Sequence, residues 1–173
     1  MLALLLQGLT AWHLYSTCAR IRPGESVVVH AAAGGVGSLA VQLGAGRVIA
    51  TASTADKRRL ALELGADAAV DVTRPDLAEA LVEANLGERV DVVLEMAGGR
   101  VFDASLDALA PFGRLVTYGI ASREQNEVSS SALMRKSRAA SASGSCTASP
   151  GRRSWSTPRC RSCSSVPRPA RCA

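Results

Sequence analysis

The chain has 173 residues, 47% hydrophobic and 20% charged, which is the size and balance of one globular domain and little more. Residues 1–134 hold 11 Lys and Arg against all 15 Asp and Glu, and residues 135–173 hold 9 Lys and Arg with no acid; the formal +5 therefore comes from the C-terminal segment and is no argument for nucleic-acid binding by the rest. Cys18 stands alone in the first 134 residues, which excludes a secreted disulfide framework, no run approaches the ~20 apolar residues of a membrane span, and Met1–Leu6 lacks the basic start and cleavage site of a signal peptide, so a cytoplasmic location is expected.

In chain order, residues 1–20 are predicted to form an apolar helix that stops at the breaker cluster Arg22-Pro23-Gly24. Ser26–Ala31 is a short β-branched run and reads as a buried strand, Val36–Leu43 as a helix and Arg47–Ala52 as a second strand. Ala55–Leu64 is an amphipathic helix ended by Gly65, Ala68–Val72 a third strand, and Pro75–Asn85 a helix with proline in its first turn. Val90–Met96 is the fourth strand, Val101–Leu109 a helix, and Arg114–Tyr118 the fifth strand. The strands are near-continuous Val, Ile and Leu runs, as in sheets covered by helices on both faces. The expected fold class is α/β: a truncated, doubly wound parallel sheet of about five strands with right-handed crossovers, the Rossmann arrangement.

Residues 135–173 contain 10 Ser, 8 Arg and 4 Pro and no Leu, Ile, Met, Phe or Tyr. Such a segment cannot bury enough apolar surface to offset chain entropy, so a disordered basic tail is expected. The switch after Leu133-Met134, to residues that GC-rich DNA encodes out of frame, suggests a frameshift product. Absence of an apolar continuation in the other reading frames would rule that out. The expected organisation is a linking helix over 1–22, a nucleotide-binding domain over 23–134, and the tail.

The first strand runs into Ala32-Ala33-Gly34-Gly35-Val36-Gly37, an A-x-G-x-x-G form of the dinucleotide fingerprint. Gly34 lets the backbone approach a pyrophosphate, Gly37 lets helix and strand pack closely, and the helix N-terminus supplies unpaired N–H groups. A lone G-x-x-G is weak, but here it follows a strand and opens a helix, its confirming context. The second strand ends in Thr51-Ala52-Ser53-Thr54, followed by Asp56-Lys57-Arg58-Arg59, where an NAD site usually carries a carboxylate. Hydroxyls with nearby cations suit a 2′-phosphate, so NADPH is expected over NADH. Arg59 reads as part of a solvated helix face.

These segments resemble a known family. Gln7-Gly8-Leu9-Thr10-Ala11, Arg22-Pro23-Gly24-Glu25, the run from His30 to Gly37, Ala50-Thr51-Ala52-Ser53, the run from Asp91 to Gly99, and Phe112-Gly113-Arg114-Leu115-Val116 are similar to the zinc-independent quinone oxidoreductases, a branch of the medium-chain dehydrogenase/reductase superfamily. The resemblance covers residues 1–138. It implies NADPH-dependent hydride transfer to quinones or α,β-unsaturated carbonyls. Carried over by position, Gly34, Gly35, Val36 and Gly37 would meet the pyrophosphate, Ser53, Lys57 and Arg58 the 2′-phosphate, and Thr10 with Gly119, Ile120 and Ala121 the nicotinamide end. No catalytic residue is assigned.

Departures from the family pattern shape the remaining expectations. No counterpart of the family's GroES-like substrate domain is expected in these 173 residues, and the chain alone is expected to be inactive. The family's sixth strand is replaced by the tail, at the sheet edge through which relatives often form homodimers. Val72 stands where many relatives carry an aromatic residue near the adenosine. Only Ser38–Gly46 separate Gly37 from the second strand, so a strained or displaced first crossover is expected. His13, His30 and Cys18 lack metal-ligand spacing, so no metal is expected, and His30 reads as a polar residue at a strand end. Asp91, at a strand start, is expected to face away from the site; Glu95 could serve acid–base chemistry. Cys160-x-x-Cys163 reads as chance in a cysteine-rich segment, and no G-x-S-x-G elbow is present. The expected partner is a small quinone or enone substrate, with no membrane and no specific nucleic acid. Two alternatives stay open: a non-catalytic NADPH-binding fragment, and an enoyl reductase module of a larger assembly.

Overall fold

The computed structural model describes residues 2–44 and 46–144. Helix α1 (Leu2–His13) widens into a π-helical turn over Leu14–Cys18. Then strand and helix alternate: β1 (Ser26–Val29), α2 (Gly35–Leu43), β2 (Arg47–Ala52), α3 (Ala55–Glu63), β3 (Ala68–Asp71), α4 (Leu77–Ala84), β4 (Val90–Glu95), α5 (Arg100–Ala108), β5 (Leu109–Thr117), α6 (Ser130–Met134) and β6 (Ala139–Ala142). The sheet has the order β3-β2-β1-β4-β5-β6, and every pairing is parallel. The sheet is doubly wound, as expected from the sequence, and its order reverses direction between β1 and β4.

The apolar runs work because successive side chains in a strand point to opposite faces. Val27, Val29, Val48, Ala50, Val92 and Leu94 face one side, packed with Leu14, Tyr15, Ala40 and Val41. Val28, Ile49 and Val93 face the other, packed with Leu77, Leu81 and Phe102. Both faces are covered, so each strand can be apolar throughout. The outer face of α1 differs: Leu4, Leu5, Leu6, Leu9 and Trp12 are all exposed. No helix of the described residues is long and apolar enough to cross a membrane.

The structure corrects two expectations. The first concerns residues 135–144, which were expected to be disordered. Arg114 to Thr117 of β5 pair with Ala139 to Ala142, giving a sixth strand beyond the expected five. All four β6 residues are exposed, so the strand adds nothing to the core. It is held by ladder hydrogen bonds, which need only backbone groups that every non-proline residue carries. The Arg138 guanidinium also donates to Leu109 O at 2.5 Å. A composition test senses apolar burial and so misses such a strand. The rest of the expected tail, with Cys146, Cys160, Cys163 and Cys172, lies outside the described residues.

The second correction concerns the first crossover, which was expected to be strained. Helix α2 has nine residues, the same as α3 and α5. The expectation assumed a strand of five or six residues, but β1 has four. Four strand residues span about 13 Å and nine helical residues about 13.5 Å, so the helix returns the chain along its strand.

Candidate functional site

Beyond β1 the chain turns through Ala31, which has φ of +50°. That left-handed conformation costs an L-residue roughly 1–2 kcal/mol. It aims the Ala31 carbonyl back under the glycine loop, where it accepts from the Gly34 N–H at 2.8 Å. A Cβ on Gly34 would stand 3.1 Å from the same oxygen. On Gly37 it would lie 2.9 Å from both the Ala31 carbonyl carbon and the Ala32 Cα, which are backbone atoms that cannot swing aside. Gly34 is also the N-cap of α2 and no side chain caps it. The first-turn N–H groups and the positive end of the helix dipole thus form a seat for an anion.

His30, beside that turn, is fully buried. Its Nδ1 lies 2.7 Å from Thr51 Oγ1 on β2 and its Nε2 2.7 Å from Ser105 Oγ on α5. The Ser105 hydroxyl itself donates to Val101 O at 2.6 Å, so it accepts from Nε2–H. Nδ1 then accepts from Thr51. The ring is a neutral imidazole of one tautomer, and burial pushes its pKa down to about 4.

The cleft opens at the C-terminal ends of the strands, at the reversal between β1 and β4, and encloses about 290 Å³. Its walls are His30, Ala31, Ala33 and Gly34 after β1, Thr51, Ala52, Ser53 and Lys57 around the end of β2, Val72 after β3, Met96 and Ala97 after β4, and Ala121. Of the sequence-predicted site residues, Gly34, Ser53, Lys57 and Ala121 line this space. Gly35, Val36 and Gly37 form the first turn of α2 behind it. Gly119 packs against Met96, where a Cβ would be 3.3 Å from the Met96 Cβ, and Ile120 is half-exposed.

Arg58 forms an ion pair with Asp71 at 2.8 Å and reaches Ala52 O at 3.3 Å, so its charge is already engaged at the strand ends. Thr10 donates to Leu6 O within α1 at 2.8 Å and is not among the lining residues. Gln7, one turn earlier, lies over the loop: a Cβ on Gly35 would overlap its carboxamide. Sequence reasoning did not assign Gln7, Met96, Ala97 or His30. For Met96 and Ala97 the usable signal was their place at a strand end; Gln7 opens the Gln7-Gly8-Leu9-Thr10-Ala11 motif, but its type and spacing pointed to no role.

Glu95 is also fully buried. Its Oε1 accepts from the Ala97 and Gly98 N–H groups, each at 2.7 Å, so the carboxyl shapes the turn that walls the cleft. Burial pushes its pKa up, against those two hydrogen bonds. Asn126 fastens the same turn, accepting from Gly99 N at 2.8 Å and donating to Gly99 O at 2.9 Å. Asp91 lies at the other end of the sheet, accepting from Ser26 N and Oγ at 2.8 Å, as expected from its place at a strand start.

The family pattern described as zinc-binding dehydrogenase matches residues 35–158, starting within this glycine loop. The chain belongs to that family. It is 45% identical over 123 residues to the "Probable quinone oxidoreductase" of Schizosaccharomyces pombe, which covers 69% of this chain and 37% of that protein. The structure of Escherichia coli quinone oxidoreductase complexed with NADPH superposes with a TM-score of 0.74 at 35% identity, over 81% of this chain and 44% of that one. The "Putative enoyl reductase domain of polyketide synthase" superposes with a TM-score of 0.70 at 34% identity, over 80% of this chain and 77% of that one. The chain thus spans less than half the length of the two quinone oxidoreductases, and the resemblance to them stands. The family's name notwithstanding, the described residues do not fit zinc. None of them form a group of three or more His, Cys, Asp or Glu that could hold a metal ion, and both His30 ring nitrogens are engaged by hydroxyls.

Proposed function

We infer that this chain is the cofactor-binding part of an NADPH-dependent oxidoreductase that acts on quinones or α,β-unsaturated carbonyls. The observation that carries the reading is the pairing of two features in one cleft. One is a glycine turn with no room for a Cβ on Gly37, opening an uncapped helix. The other is Ser53 and Lys57 at the adjacent strand end, with no carboxylate lining the space. Gly34 to Gly37 would seat the pyrophosphate, and Ser53 and Lys57 the 2′-phosphate. Val72 gives the adenosine a small apolar wall. Met96, Ala97 and Ala121 extend the wall toward the other end of the cofactor.

Bound NADPH would supply the hydride; the protein orients it and excludes water. Of the lining side chains only His30 and Lys57 carry an ionisable nitrogen, and both ring nitrogens of His30 are occupied by hydroxyls. This chain therefore offers the cofactor a seat rather than an acid or base for the substrate, and the chain alone is expected not to turn over.

The test is a thermal-shift titration with NADPH and, in parallel, NADH. A ligand that binds only the folded state raises stability by about 2.7 kcal/mol at a hundred times Kd. A saturable shift with NADPH and little with NADH is expected. No shift with either nucleotide would overturn the reading. A second reading, an enoyl reductase module of a larger assembly, is favoured by the 77% coverage of that domain. NADPH consumption with an enoyl thioester but not with a quinone, after adding a substrate domain, would select it. No consumption with either would leave a non-catalytic NADPH-binding fragment.

A further inference from the structure

The strained residue of the glycine loop has anchors on both sides. Ala31 holds φ of +50° although it is not glycine. On one side His30 is fixed at three points: its N–H donates to Leu94 O at 3.2 Å, Nδ1 meets Thr51 at 2.7 Å, and Nε2 meets Ser105 at 2.7 Å. On the other side the Ala32 N–H donates to Thr51 O at 3.1 Å. Thr51 thus grips both neighbours of Ala31, one through its hydroxyl and one through its carbonyl. A backbone in a sparsely populated conformation persists when its surroundings over-determine it. Here the over-determination is a buried imidazole linking β1, β2 and α5.

What the turn presents is the Ala31 carbonyl. It seats the Gly34 N–H and leaves no space for a Cβ on Gly37. If Ala31 relaxed to negative φ, that carbonyl would rotate away and the N–H groups at the start of α2 would lose their common aim. Both ring nitrogens of His30 are engaged by hydroxyls, so neither is free for a ligand or for proton transfer. Its buried polar atoms would be costly without partners, and here each partner belongs to a different element.

We propose that His30 is a positioning residue for the dinucleotide: hydrogen-bonded at both ring nitrogens, it holds the left-handed turn at Ala31 and so presets the glycine loop for a pyrophosphate. The proposal rests on the reading of this cleft as an NADPH site. It separates two functions within the cleft. Ser53 and Lys57 discriminate between nucleotides, whereas His30 serves the part that NADPH and NADH share.

The experiment is calorimetric titration of the full chain with NADPH and with NADH, for the native protein, His30→Phe, and His30→Phe combined with Ala31→Gly. Phe keeps a ring of similar size and removes every side-chain hydrogen bond. The expected result is a loss of about tenfold in affinity, equal for the two nucleotides, on the scale of one or two hydrogen bonds. Ala31→Gly should restore affinity to within about threefold, because glycine adopts positive φ without a Cβ penalty. A loss from general loosening would not be repaired by adding a glycine. Unchanged affinity in His30→Phe, a loss confined to NADPH, or no repair would each overturn the proposal.

Two further measurements cover the remaining outcomes. If His30→Phe does not fold, Ser105→Ala removes one anchor from a residue outside the cleft. It should weaken both nucleotides by about threefold, and unchanged binding overturns the proposal. If the native chain binds neither nucleotide, the cofactor reading falls. Amide exchange at Gly34 and Ser38, whose N–H groups bond Ala31 O and Gly34 O, then reads the turn directly. Faster exchange in His30→Phe supports the role of His30 in the turn, and unchanged exchange refutes it.

Discussion

The Arg114 guanidinium grips the Glu25 carboxylate with two hydrogen bonds, Nη1 to Oε1 at 2.9 Å and Nη2 to Oε2 at 2.5 Å. Arg114 lies on β5 and Glu25 just before β1, so the pair ties one flank of the sheet to the turn that starts it. Arg114 also donates to the carbonyls of Ala19 and Arg20, and Arg22 N donates to Glu25. The pair closes the junction between the leading helix and the sheet.

Arg114→Ala would leave the Ala19 and Arg20 carbonyls without this donor and the Glu25 carboxylate with the Arg22 N–H alone. The side chains are 20% and 22% exposed, which moderates the cost by solvent screening. The expected loss is about 2–3 kcal/mol, read by urea unfolding at neutral pH. The hydrogen bond from Arg114 is the largest cause holding the Glu25 pKa below its ordinary 4.5. The pair's contribution is therefore complete above pH 4.5 and is lost as pH falls through the lower folded value. Native and Arg114→Ala stabilities should converge in that acid window. A constant gap would show that the charge of Glu25 is not what stabilises the junction.

His30 acts at higher pH. Its folded pKa of about 4 lies below the ordinary 6.5, so the folded state resists a proton that the unfolded chain accepts. The stabilising contribution is complete above pH 6.5 and shrinks as pH falls toward 4, by about 3 kcal/mol in all. Urea midpoints measured across that interval should fall for the native chain. They should fall less for His30→Phe, which has no imidazole to protonate. Parallel slopes would mean that the ring is not held neutral.

Gly37→Ala should cost more than a helix propensity scale suggests, since alanine is the better helix former. The new Cβ would press on the Ala31 carbonyl carbon and the Ala32 Cα, each at 2.9 Å. Overpacking against backbone costs roughly 1–3 kcal/mol. Because the same atoms shape the anion seat, the thermal shift with NADPH should vanish as well. A stabilised variant that still binds would show that the loop can open.

Lys57→Gln should weaken NADPH by about tenfold and leave NADH within twofold, the scale of one charge-assisted contact. Arg59→Gln is the control. Its guanidinium is exposed and faces Asp56 at 3.3 Å and Glu63 at 3.8 Å, so neither nucleotide should notice its loss. Equal losses from the two substitutions would reduce the cations here to a general positive field.

Much of the fold was legible because its signals are local. Val27, Val28 and Val29 announce a strand covered on both faces, and Pro75 and Gly65 mark helix boundaries at most two residues from the observed ends. The regular part of β5 begins at Arg114, as expected. The structure also pairs Leu109 with Val90, ahead of a four-residue irregularity. In the glycine loop, Gly37 was legible because a Cβ there would press on the backbone of Ala31 and Ala32 at 2.9 Å. Arg58 was placed at the 2′-phosphate by position, and spacing gave no sign of its ion pair with Asp71 at the end of β3.

The sequence by itself determined the alternation of strands and helices, the place of the glycine turn and the choice of hydroxyls and cations over a carboxylate at the end of β2. These depend on residue type and on spacing within about ten positions, where periodicity and turn chemistry act. Tertiary structure alone decided that Ala139–Ala142 join the sheet as a sixth strand, because that pairing uses backbone groups that composition does not reveal. It alone decided that Gln7 reaches Gly35 and that Glu25 finds Arg114. It also turned His30 from a polar residue at a strand end into the link between Thr51 and Ser105. The physical reason is the same in each case: a contact is set by distance in space, and the hydrogen-bonded side-chain partners are separated in the sequence by 21 to 89 residues.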